Sequence, residues 1–91
     1  MTKTYAEEQT KRLDFLLSEG KTDKRIPERL ATGWGTDLGR NLTLDEYTGL
    51  INTAFKKMVE LNYSKDVVTK FVNQTDETIK NFEKKTRLAK V

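Results

Sequence analysis

The chain has 91 residues, room for one domain, and contains neither Cys nor His. That removes a disulfide framework, a thiolate nucleophile, the commonest metal ligand and the usual neutral-pH general base. Seventeen Lys and Arg against fourteen Asp and Glu leave a net charge of +3, which allows nucleic-acid binding without requiring it.

The 22 Leu, Ile, Val and Phe residues suffice for a small core. A domain of this size buries only roughly 60% of its unfolded surface, so the composition is compatible with a homodimer. No apolar segment follows Lys3, and the longest apolar run is Phe15-Leu16-Leu17. Neither a signal peptide nor a membrane span is expected, and a cytoplasmic location is. The fourteen carboxylates offer no nucleophile–base pair, and several sit at helix starts (Glu7, Asp45, Glu46, Asp76, Glu77). The expected protein is therefore non-enzymatic, with no catalytic residue, cofactor or metal site.

The predicted fold is all-α, one domain over 1–91. Four or five helices pack around a central helix at about 44–61. The first helix opens on a capping box, Thr4 with Glu7. Its stripe is Ala6, Thr10, Leu13 and Leu17, widened by Leu16, and Gly20 is the expected residue just past its end. A short helix over 27–32 begins at Pro27 and stops at Gly33. Leu30 and Ala31 are its inward candidates.

Residues 33–42 form a loop punctuated by Gly33, Gly35 and Gly39. It lacks the spacing and the preceding strand of a phosphate-binding loop. Trp34 has two readings. It is a lid over the core, or, with Leu38 and Arg40, it is a contact for a protein partner.

The central helix opens on a second capping box, Thr43 with Glu46, and on a staple of Leu42 with Tyr47. Leu44, Tyr47, Ile51, Ala54, Met58 and Leu61 step by three and four. Leu50, Phe55 and Val59 widen that arc.

Three triplets share the form Asn-x-Ser/Thr: Asn41-Leu42-Thr43, Asn62-Tyr63-Ser64 and Asn73-Gln74-Thr75. Asn tolerates the left-handed conformation that closes a helix, and Ser or Thr two residues later supplies the next N-cap. Each triplet therefore predicts a boundary. The third splits the C-terminal segment into helices over 65–72 and 76–88. Without a break there, Val68, Phe71, Thr75, Ile79, Phe82, Thr86 and Ala89 would fit one long helix.

With the break, residues 63–82 resemble the DNA-binding helix-turn-helix of small bacterial and phage regulators and sigma-factor-like proteins. Val68, Val72, Thr75, Thr78-Ile79 and Phe82 match that family's pattern. Thr69, Asn73 and Gln74 depart from its usual Ala, Gly and apolar residue. The resemblance implies a dimeric transcription regulator. Lys80, Asn81, Lys84 and Arg87 would contact DNA from a recognition helix capped by Thr75. The rival expectation is a helical protein-binding module: an inhibitor, antitoxin-like protein or assembly factor. It would act through the Gly-Trp-Gly loop or through an exposed part of the central helix.

Overall fold

The computed structural model describes residues 4–34 and 37–89. The protein is all-α, with four helices among the described residues: α1 (Tyr5–Gly20), α2 (Arg25–Ala31), α3 (Leu44–Glu60) and α4 (Lys65–Ala89). Leu38 and Leu42 form one isolated parallel bridge, and no strand forms among the described residues.

α1 starts where expected, with Thr4 Oγ1 accepting from the Glu7 N–H at 3.2 Å. Its inward stripe is Gln9, Leu13 and Leu17. Thr10, expected on that stripe, is exposed and donates to the Ala6 carbonyl instead. Gly20 is not a left-handed cap: it is the last helical residue, and Lys21 after it is right-handed. Its role is close approach. A Cβ there would lie 2.5 Å from Tyr63 Oη and 3.3 Å from Pro27 Cδ. Tyr63 Oη donates to the Leu17 carbonyl, so the α3–α4 turn is pinned to the end of α1.

α2 begins two residues earlier than the 27–32 reading. Asp23 Oδ1 accepts from the Arg25 N–H at 3.1 Å and supplies the start. Pro27 fits the first turn because its missing N–H would have no helical acceptor there.

α3 is the spine. Its capping box is complete: Glu46 N–H to Thr43 Oγ1 at 3.1 Å, and Thr43 N–H to Glu46 Oε1 at 2.9 Å. Leu42 and Tyr47 are both fully buried, as a staple requires. Tyr47, Leu50, Ile51, Ala54 and Met58 form the core face. α3 ends as its triplet predicts. Asn62 takes φ +60°, the Tyr63 N–H returns to the Met58 carbonyl and the Asn62 N–H to the Val59 carbonyl. That is a Schellman closure. Ser64 Oγ then accepts from the Val67 N–H at 3.3 Å and opens α4.

α4 corrects the sequence reading. It runs unbroken from Lys65 to Ala89, so the turn expected at Asn73-Gln74 is absent. Val68, Phe71, Thr75, Ile79 and Phe82 keep one three-four stripe through it, buried or half-buried. A buried apolar side chain contributes roughly 1.5–3 kcal/mol. Asn inside a helix costs at most about 0.7 kcal/mol relative to Ala. The stripe outweighs the local preference of Asn73 for a boundary. Thr75 is consequently not a cap. It is 5% exposed, on the inward side of the helix.

Candidate interaction surfaces

The loop after α2 is built inward. Gly33 and Gly39 take positive φ, and so does Trp34 at φ +58°. That conformation costs a bulky residue about 1–3 kcal/mol and persists only where surroundings over-determine it. Here they do. The Trp34 indole is 5% exposed, and its Nε1–H donates to Gln9 Oε1 at 2.8 Å. Trp34 is therefore the core lid, and its reading as a partner contact is corrected.

The same loop is fastened at two further points. The Tyr5 hydroxyl donates to Asp37, which also accepts from Asn41 Nδ2 at 3.0 Å. Burial, helped by the Asp37 carboxylate, pushes the Tyr5 phenol up to about 12. The Tyr5 and Asn41 hydrogen bonds hold the Asp37 carboxyl below its usual range. Gly39 faces α4, where a Cβ would lie 2.9 Å from the Phe82 ring. Leu38 is half-buried beside a cavity of about 330 Å³ that Phe82, Asn81 and Lys85 also line. Of the three loop residues expected at a partner contact, Arg40 is exposed, Leu38 half-buried and Trp34 buried.

A hydroxyl node joins α2, α3 and α4. Tyr47 Oη accepts the Gly33 N–H at 3.3 Å and lies 3.0 Å from the Ala31 carbonyl and 3.2 Å from that of Leu30. Burial raises its phenol above the ordinary range. Thr78 Oγ1 reaches the Ala31 carbonyl at 2.7 Å. The free carbonyls at the end of α2 are thus met by side chains of two other helices, as a buried helix end requires. Thr75 Oγ1 is buried with no hydrogen-bond partner among the described residues.

The residues expected to read DNA do not form one site. Lys80 and Lys84 are exposed one turn apart, with exposed Asn81 beside them. Lys80 is paired with Asp76 at 3.0 Å, which raises its ammonium above the ordinary range. Thr75 is on the buried side of the same helix. The Arg87 side chain lies outside the described residues. The bend that would aim this segment into a groove has no counterpart in α4.

The rival expectation also named an exposed part of the central helix, without saying which residues form it. Among the described residues four large apolar side chains are exposed: Phe15 (64%), Val59 (55%), Val72 (45%) and Phe55 (38%). Phe55 and Val59 stand one turn apart near the end of α3, and Val72 follows two turns into α4. Their spacing suggested a core face, so only burial reveals them as surface. A groove of about 640 Å³ also runs between α2 and α4, over Pro27, Ala31, Val67 and Phe71. No described helix is long and apolar enough to cross a membrane. No three metal-ligating side chains cluster among the described residues.

A scan of protein-family models found no match to this chain, and searches of curated proteins and of solved structures found none either.

Proposed function

We propose that this protein is a non-enzymatic, helical protein-binding module that uses the arm formed by the last turns of α3 and the first turns of α4. The observation that carries the reading is the exposure of Phe55, Val59 and Val72 on that arm. Single exposed apolar residues are ordinary, whereas adjoining ones mark a contact surface, and Phe55 and Val59 stand one turn apart on α3. The arm is also firmly held. The Schellman closure at Asn62, the Ser64 cap and the Tyr63–Leu17 hydrogen bond all fix its turn. A preformed surface lowers the ordering cost of binding. A DNA-reading role keeps the cations of α4 but lacks the inter-helix angle that would present them, and Lys80 already has a partner.

Photoreactive residues placed at Val59 and Val72 test the reading in the cells that make the protein. The expected result is one discrete cross-linked species at both positions, lost on Phe55→Ser while the fold persists. A product of twice the chain mass would identify the partner as a second copy. Cross-linking at Val59 and Val72 no stronger than at exposed Ser18 on α1 would overturn the reading.

A further inference from the structure

The outer face of α1 carries an apolar side chain between two charges of opposite sign. Phe15 is 64% exposed, more than any other large apolar side chain among the described residues. Lys11 and Glu19 stand one turn before it and one turn after it, on the same stripe. Both are exposed, and neither forms an ion pair among the described residues.

The groove of about 640 Å³ between α2 and α4 offers the converse, over a floor of Pro27, Ala31, Val67 and Phe71. The two helices run the same way. A Cβ on Gly20 would meet both Tyr63 and Pro27 at one end of the pair, and Thr78 Oγ1 reaches the Ala31 carbonyl at the other. Charge therefore changes sign along the groove. Lys24 and Lys70 line its first half, with Asp66 outermost, and Glu28 and Glu77 line its second half. None of these five forms an ion pair among the described residues.

We propose that Phe15 of one copy of this chain seats in the α2–α4 groove of a second copy, with α1 running opposite to the two helices it meets. In that direction Lys11 comes to Glu28 and Glu77, and Glu19 comes to Lys24 and Lys70. The spacings agree: Lys11 to Glu19 spans about 12 Å along α1, and Lys70 to Glu77 about 10 Å along α4. The next charges continue the match, since Asp66 falls level with Lys21 and Glu7 with Lys80. The reverse direction would set Lys11 on Lys24 and Lys70, so the charges fix orientation as well as contact. An apolar anchor on a helix laid into a groove is a recurrent mode of recognition. The two surfaces differ, so the contact is heterologous and builds a ring or an open chain unless two copies engage each other reciprocally. It uses none of Phe55, Val59 and Val72 and does not depend on the function proposed for their arm.

The test is sedimentation equilibrium of the full chain at low salt, from roughly 10 µM to 1 mM, the range of a small interface. Self-association is expected, and Phe15→Ala should weaken it at least about tenfold. Lys11→Glu and Glu77→Lys should each weaken it roughly fivefold, and the chain carrying both should recover most of that loss. All three side chains are exposed, so thermal unfolding should stay unchanged. A monomer throughout the range overturns the proposal, and so does association that Phe15→Ala leaves intact. Association abolished by Phe55→Ser but not by Phe15→Ala would assign the self-contact to the arm instead. Cross-linking from the arm is then read in Phe15→Ala protein, where Ser18 remains a background position, so either contact can fail without the other.

Discussion

Asn62-Tyr63-Ser64 and Asn73-Gln74-Thr75 have the same form, yet the chain turns at one and runs straight through the other. At the first, Asn62 is left-handed, Ser64 caps the next helix and Tyr63 is tied to α1. At the second, all three residues are helical and Thr75 is buried. What differs is the stripe on either side. The core face of α3 ends at Leu61, and a new one begins at Val67 and Val68. The stripe of α4 passes from Phe71 through Thr75 to Ile79 and Phe82 without a change of phase. A local capping signal closes a helix where the packing face also ends, and is overridden where it continues.

The largest expected difference comes from proline. Asn73→Pro should cost about 3 kcal/mol or more in urea unfolding, because proline inside a helix removes a hydrogen bond and clashes with the preceding turn. A chain that turned at this position would tolerate it. Alanine sharpens the contrast by changing sign. Asn62→Ala removes the short polar side chain that makes the left-handed region tolerable and should destabilise by about 1 kcal/mol. Asn73→Ala should stabilise by up to about 0.7 kcal/mol, as a better helix former. Thr75→Val separates the two roles proposed for that side chain. Removing an unpartnered buried hydroxyl with little change of shape should stabilise by about 1 kcal/mol. Loss of an N-cap would instead cost about 1 kcal/mol. The smallest effect concerns the loop. The folded-state pKa of Tyr5 lies near 12, above its unfolded value near 10. Its contribution is therefore full below pH 10 and lost as pH rises from about 10 to 12. Tyr5→Phe should flatten the stability profile in that window.

The all-α class, the caps at Thr4, Thr43 and Ser64, and the core face of α3 were legible because each rests on a short-range pattern. The unbroken α4 was legible only as the alternative to a bend. Choosing between them needed the burial of Phe71 and the contact of Thr78 with Ala31, both long-range. Trp34 could not be assigned from its neighbours, since two glycines suggest exposure and only Gln9, 25 residues away, explains its burial. Phe55 and Val59 carry the opposite lesson. Their spacing extends a core arc, but α1 and α4 do not reach round α3 far enough to cover it.

The straightness of α4 can be read directly as a distance. Spin labels at the exposed positions Asp66 and Lys84 report on 18 residues of helix, about 27 Å between Cα atoms at the usual rise. The account predicts one narrow distribution centred near that value. A distribution near 20 Å, where two arms of half that length meet at roughly 90–120°, would contradict it.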